Sequence, residues 1–420
     1  MQVKTRDGLV ESVCSIDQDD DWDWTGDSLL SEQVALRDDA VIRVDGKGEY
    51  YLCPGLIDCH VHISAVPGEP SVSSSISDSD PAVSLLRQPF VCSQMLSRGF
   101  TTVRDTGGAT LALKEAIADS VFPGPRLFIA NHALSQTGGH GDGRGAHDLR
   151  QLRSGCCTTG GISVICDGVA DCLRFAREQL RSGADFIKIM AGGGVASPTD
   201  RLENTQFTAA EVRAICDVSE SYGTYVTAHA YTTNAIRHAV DNGVRGIEHG
   251  NLLDQDTAQY LAENGVILTP TLVTYNAMAS DKYAGYLPPG SQKKNKGLLT
   301  NGLEALKLAA EAGVTMCYGS DLLGPMTREQ SREFSLRGRV LDSVKVLQSA
   351  TVNAAKLIGM ENTLGQIKEG FIADVVILDR NPLQNIGVLD EPQKCVVAVM
   401  KDGRVFVSRL DGLAQEASLC

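Results

Sequence analysis

From about residue 55 to residue 360 the chain alternates short β-rich runs with helical ones, and this alternation limits the possible fold more than any other feature. The β-rich runs are GLIDCHVH (55–62), GFTTVRDTGG (99–108), PRLFIANHAL (125–134), ADFIKIMAGGG (184–194), TYVTAHAY (224–231), VRGIEHGN (244–251), GVILTPTLV (265–273) and GVTMCYGSD (313–321). Helix signals lie between them. Thr208 and Glu211 make a capping box ahead of VRAICDVSESYG, and Gly223 is its stop. Asn301–Glu304 reads as the opening of a helix that ends at Gly313, and Thr327–Gln330 as the opening of the helix after the eighth strand. Eight strands alternating with helices predict an α/β fold, a parallel (β/α)8 TIM barrel, with its site at the C-terminal ends of the strands.

The length of 420 residues, 43% of them hydrophobic, accommodates such a barrel and an appendage. Residues 1–52 and 364–420 lack the alternation. They carry strand-and-turn patterns such as KCVVAVMKDGRVFV, so both ends are expected to pair into one small β-sandwich domain beside a barrel spanning 53–363. The acidic-aromatic tract DQDDDWDW (17–24) reads as a solvated loop. A net charge of −14 argues against a nucleic-acid or anionic-membrane partner. No apolar run reaches the roughly 18 residues of a membrane span. The first residues show no export or organelle signal. Twelve scattered cysteines without a C-x-x-C pair suggest reduced thiols and a cytoplasmic protein.

The strand ends carry the chemistry. His60 and His62 close the first strand, Lys188 lies on the fourth, His229 and His249 end the fifth and sixth, and Asp321 ends the eighth. Residues i and i+2 of a strand share a face, so His60 and His62 stand side by side. An isolated His-x-His pair is common; four of the chain's eight histidines at one end of a barrel, with an aspartate, describe a metal site. Lys188 faces the lumen between Ile187 and Ile189. Beside cations its pKa should fall, and a neutral amine can add carbon dioxide to give a carbamate able to bridge two metals. The alternative for Lys188 is a buried pair with an Asp or Glu. Two divalent ions roughly 3.5–4 Å apart can hold a hydroxide at neutral pH. Asp321 can take a proton from it and pass that proton to a leaving amine.

The motifs PGLIDCHVH, LSQTGGHGD, IKIMAGGG, TAHAYT, GIEHGNLLD, PTLVTYNAM, GSDLLG and LGQIKEGFIADVVILDRNPL follow one another over about residues 53–400. In them the chain resembles the amidohydrolase superfamily, in particular the imidazolonepropionase-like branch with metal-dependent prolidases (Xaa-Pro dipeptidases), Xaa-Arg carboxypeptidases and the fungal ochratoxin amidase. The resemblance implies two divalent metal ions, zinc first, with manganese or cobalt able to substitute. They would be held by His60, His62, N6-carboxylated Lys188, His229 and His249, with Asp321 as ligand and proton shuttle. It implies that His140, in TGGHGD, assists the carbonyl or oxyanion, and that Tyr231 holds the substrate's α-carboxylate. From the residues alone, His140 reads as a satisfied loop histidine and Tyr231 equally as a core tyrosine. Ochratoxin-amidase-like relatives carry histidine at the latter position, which places this chain toward the prolidases.

The function so implied is binuclear hydrolysis of an amide beside a free carboxylate, by attack of a metal-bridging hydroxide. The substrate is a small molecule, an Xaa-Pro dipeptide or N-acyl amino acid, and the enzyme a homo-oligomer. Alternatives are a specialised ochratoxin-type amidase, a mononuclear zinc deaminase, which would lack the bridging Lys188, and a non-catalytic scaffold, which would have lost ligands. His132, His147 and His238 read as structural or surface histidines, and Asp105 as orienting backbone or a ligand histidine. The segment TYNAMASDKYAGYLPPGSQKKNKG (274–297) reads as a long irregular loop shaping the pocket, its KKNK as a solvated basic run. Relatives begin with a strand pair that this chain enters part-way, so the edge of the β-domain is expected to differ.

Overall fold

The computed structural model of the chain describes residues 2–14, 50–68, 71–72, 81–149, 161–410, 413 and 415. The DQDDDWDW tract and the adjacent Cys156 and Cys157 lie outside the described residues. The strands in chain order are β1 (Gln2–Arg6), β2 (Leu9–Cys14), β3 (Tyr51–Pro54), β4 (Leu56–Val61), β5 (Phe100–Asp105), β6 (Arg126–Ile129), β7 (Ala133–Ser135), β8 (Ser163–Ile165), β9 (Ile187–Met190), β10 (Val226–Thr232), β11 (Gly246–Leu252), β12 (Ile267–Thr269), β13 (Val375–Leu378), β14 (Val396–Lys401) and β15 (Arg404–Ser408).

Parallel pairing runs β4-β5-β6 and β12-β11-β10-β9-β7-β8. Backbone hydrogen bonds join these sheets into a barrel. Asp185 N donates to Ile129 O at 2.8 Å on one side. On the other, residues 315–321 bridge the first and seventh strands: Cys317 N donates to Leu268 O and Cys59 N to Tyr318 O, both at 2.8 Å. Helices cover the outside through apolar stripes. Helix Gly168–Arg181 buries Cys172, Phe175, Ala176 and Gln179, one face at helical spacing. Helix Ala209–Ser221 starts at the Thr208–Glu211 capping box and ends before Gly223 at φ 72°, as its sequence predicts.

The two chain ends build the small β-domain. Its antiparallel sheet has the order β15-β14-β13-β3, and the β1-β2 hairpin joins through a bridge between Leu9 and Ile372. Val375, Ile377, Val397 and Val405 form its own apolar core. Only Gly55 separates β3 from β4, so the appendage leads straight into the strand that carries His60. Among the described residues no helix is long and apolar enough to cross a membrane.

Five expectations change in detail. The third run is two strands, because Asn131 adopts φ 56° and turns the chain from β5 toward β9. The eighth run is hydrogen-bonded to both neighbours yet makes only an isolated bridge, Leu268 with Met316. The helix expected to open at Asn301 starts at Leu298 and runs to Glu311, because Asn301 N already bonds Gly297 O at 2.9 Å. Thr327 does not cap: its hydroxyl donates back to Gly324 O, residues Gly324–Arg332 form 3-10 turns, and the α-helix begins at Glu333. The long segment after β12 is also more regular than its composition implies. It holds helices Leu272–Met278 and Pro289–Asn295, anchored by buried Tyr275, Tyr283, Tyr286 and Leu287.

Candidate active site

His60, His62, Lys188, His229, His249 and Asp321 all line one pocket at the C-terminal ends of the barrel strands, and His140 and Tyr231 line it with them. Alternation explains most of this. His60 and His62 share a face of β4 and its extension, and Thr227, His229 and Tyr231 share a face of β10. Alternation fails at β11, where Glu248 and His249 both point inward. His249 reaches the pocket because its φ is 74°, in the left-handed region, and Asp321 does so at φ 51°. Such conformations are costly for residues other than glycine and cluster at functional sites.

Each imidazole has one nitrogen engaged and the other left for the pocket. His60 Nδ1 donates to Glu248 Oε2 at 2.7 Å, and His62 Nδ1 to Gly107 O at 2.8 Å. His229 Nε2 donates to Gly193 O at 3.1 Å, and His249 Nδ1 meets Thr271 Oγ1 at 2.7 Å. The lone pairs of His60 Nε2 and His62 Nε2 then face Asp321 Oδ1 at 3.4 and 3.3 Å. Acceptors so close repel unless a cation or a proton lies between them. Potential ligand atoms of His60, His249 and Asp321 fall within 4.8 Å of one another. Metal-binding histidines are ordinarily oriented in this way by a partner on the second nitrogen, so the donor set fits a divalent ion.

Electrostatics agree with that fit. Burial alone would raise the Asp321 carboxyl, but His60 beside it holds it well below the usual carboxylate range. Burial, with the neighbouring His60, pushes His249 well below its ordinary value, and burial with His140 does so for His229. Both rings are therefore neutral, as ligation requires. Burial brings the Lys188 amine down to about 8, and its Nζ makes no hydrogen bond among the described residues. Among the described residues no carboxylate stands at ion-pair distance from it, although the charges of Glu248 and Asp321 act on it against burial.

Several participants were not legible in the sequence. Glu248 is fully buried and also accepts from Arg104 Nη2 at 2.5 Å and from the Thr227 hydroxyl. Tyr275 Oη donates to Tyr231 Oη at 3.1 Å. His140 Nδ1 lies 2.8 Å from Ser197 Oγ, and its ring stacks on His229 with centroids 4.1 Å apart. Lys294, expected to be solvated, donates to Gly194 O, Ser197 O and Asp200 instead. Asp105 behaves as expected, accepting from the backbone of Ile63, Gly107 and Ala109. His238 bonds Phe207 O, His132 is part-buried and His147 exposed; none lines the pocket.

Comparison with known proteins places this geometry. A model of the amidohydrolase family matches residues 51–406. Ochratoxinase of Aspergillus niger is 32% identical over 366 residues, covering 84% of this chain and 75% of that protein. A crystal structure of an amidohydrolase superposes with a TM-score of 0.87 at 41% identity, covering 97% of this chain and 94% of the other. A prolidase complexed with N-methylphosphonate-L-proline does so with a TM-score of 0.84 at 44% identity, covering 90% and 91%.

Proposed function

The chain belongs to the amidohydrolase family and is a hydrolase of amide-type C–N bonds, and from that premise we propose that it cleaves an amide or peptide bond beside a free carboxylate. The substrate class is Xaa-Pro dipeptides or N-acyl amino acids. The observation that carries this reading is the meeting, in one pocket, of the acceptor cluster around Asp321 with His140 and Tyr231. We propose His60, His62, Lys188 (as its carbamate), His229, His249 and Asp321 as ligands of two divalent ions, zinc first. Bound divalent ions supply Lewis acidity and acidify water enough for it to attack at neutral pH.

The chain's own residues supply the rest. Burial lowers the Lys188 amine to about 8, so its neutral form is within reach near neutral pH; that form would add carbon dioxide with loss of one proton and become a carbamate anion facing the histidines. Asp321, ionised and at the mouth of the pocket, accepts a proton and hands it to the departing amine. His140 addresses the acyl side of the scissile bond. Tyr231, whose oxygen already accepts from Tyr275, offers its own proton to the substrate carboxylate. Cytoplasmic placement, homo-oligomerisation and the boundaries 1–52, 53–363 and 364–420 belong to the same proposal; the eight cysteines whose side chains are described, all free thiols, support the first.

The test is a panel of Xaa-Pro dipeptides, N-acyl amino acids and ochratoxin-type amides, each with its carboxyl-amidated analogue. The protein is supplied with zinc and bicarbonate. Release of the C-terminal amino acid from free acids is expected, and little from amidated analogues. Cleavage of neither, or of both equally, rejects the reading. A preference for the ochratoxin-type amides within the free acids would assign the specialised amidase.

A further inference from the structure

Residues 193–206, which follow β9, are more densely hydrogen-bonded than a connection requires. The Asp200 side chain is 1% exposed. Its carboxylate accepts from the Ser197 hydroxyl, from Lys294 Nζ at 3.1 Å, from Gly194 N at 3.1 Å and from Gln206 Nε2 at 3.0 Å. Lys294 reaches in from helix Pro289–Asn295 and also donates to the carbonyls of Gly194 and Ser197, each at 2.9 Å. Two of these groups grip His140. Ser197 Oγ lies 2.8 Å from its Nδ1, and Gln206 Oε1 accepts its backbone N–H at 2.8 Å.

The protons can be counted. A hydroxyl has one. Around Ser197 Oγ stand an Asp200 oxygen and the Gly194 carbonyl at 3.2 Å. A carbonyl only accepts, and so does an ionised carboxylate. Burial opposes ionisation of Asp200, but His140, Ser197 and Lys294 together hold its pKa below the usual range. The Ser197 proton therefore goes to Asp200 or Gly194. The bond between Ser197 and His140 must then use the imidazole's own proton, on Nδ1. That leaves Nε2 as the atom His140 presents to the pocket. The ring has no room to turn away: a Cβ on Gly194 would stand 2.1 Å from its Cε1, so the loop backbone lies directly against it.

We propose that Ser197 and Asp200 are positioning residues for His140, fixing its tautomer and orientation so that Nε2 faces the acyl side of the substrate with its lone pair, as a hydrogen-bond acceptor and not as a donor to the carbonyl oxygen, with Lys294 pinning the loop that holds them. The inference rests on the reading that His140 meets the acyl side of the substrate. It gives a purpose to a buried aspartate and a part-buried lysine contact that the reaction itself does not use.

Two readouts test it on the zinc- and bicarbonate-supplied full chain. In steady-state kinetics, Ser197→Ala and Asp200→Asn should each lower kcat about 10–100-fold, the range for partners that orient a functional histidine, with KM changed less than about twofold. Ser197→Thr, which keeps the hydroxyl, should recover most of kcat. In a His140→Ala background the same two substitutions should cost less than about twofold more, because residues acting through one group are not additive. The second readout needs no substrate: nitrogen-15 imidazole spectra, with the His140 signal identified by its loss in His140→Ala. The wild type should show the Nδ1–H tautomer, and Ser197→Ala a mixture. An Nε2–H tautomer in the wild type overturns the proposal. So does a full multiplicative loss in the His140→Ala background, which would mark a loop-folding role. If the wild type cleaves no amide at all, the functional reading fails, and the tautomer still decides this inference separately.

Discussion

His249 and Asp321 hold left-handed backbone at φ 74° and 51°, and the constraint separates what their side chains do from what their shapes do. Asparagine tolerates this region as well as aspartate, so Asp321→Asn keeps the turn and removes only the charge. We expect kcat to fall about 10²–10⁴-fold, the usual contribution of a positioned acid–base group, with the metal-free melting temperature nearly unchanged. A variant that keeps more than about a tenth of wild-type kcat would remove Asp321 from the proton path. Tyr231→Phe probes the other end of the substrate. A hydrogen bond to a charged group contributes about 1.5–3 kcal/mol, so KM for free-acid substrates should rise about 10–100-fold. Amidated analogues should be unaffected. Equal losses on both would show that the Tyr231 hydroxyl serves the pocket wall, through Tyr275, and not the carboxylate.

At the scale of strands, one buried ion pair ties the barrel together beneath the site. Arg104 on β5 donates through Nε to Cys59 O of β4 at 2.6 Å and through Nη2 to Glu248 of β11, with Thr269 of β12 at 3.5 Å. Glu248 in turn accepts from Thr227 of β10 and His60 of β4. Removing one partner leaves an unpaired buried charge, so Glu248→Ala should cost about 3–5 kcal/mol in denaturant unfolding. The joint replacement Arg104→Met with Glu248→Leu should recover much of that stability, yet stay poorly active because His60 Nδ1 loses its acceptor. Recovery of activity along with stability would mean that Glu248 only holds the barrel. This pair also shows where sequence reasoning stops. His60, His62, Lys188 and His229 were legible because a period of two places them on one face. Glu248 was not, because the same rule puts it opposite His249, and only the left-handed turn at His249 brings both inward. Ser197 and Lys294 were hidden for a different reason: their partners His140 and Asp200 lie 57 and 94 residues away, and no local pattern records such a contact. The break at Asn131 and the helices within 272–295 were missed because a single left-handed residue and a few buried tyrosines decided them.

Across the whole molecule, the proposed ligands come from five of the eight strand positions, so the occupancy of the site and the stability of the barrel must be linked. The six proposed ligands lie between residues 60 and 321, and in the unfolded chain they are too dispersed to bind a cation together. A ligand that binds only the folded state stabilises it by RT ln(1 + [L]/Kd), about 2.7 kcal/mol at a hundredfold excess over Kd. Without that ligand, the acceptors around Asp321 face one another at 3.3–3.4 Å and work against the fold. We therefore expect chelation to lower the melting temperature by a few degrees, about 1–1.5 °C per kcal/mol for a chain of this size, and zinc to restore it. In Lys188→Ala, which keeps the histidines and Asp321 but removes the group proposed to bridge, the shift should shrink while the metal-free melting temperature holds. That variant should also retain fewer ions per chain by elemental analysis. A melting temperature indifferent to chelation in the wild type, with no transition metal retained, would show that the cluster is held by protonated histidines, and the hydrolytic reading would fall with it.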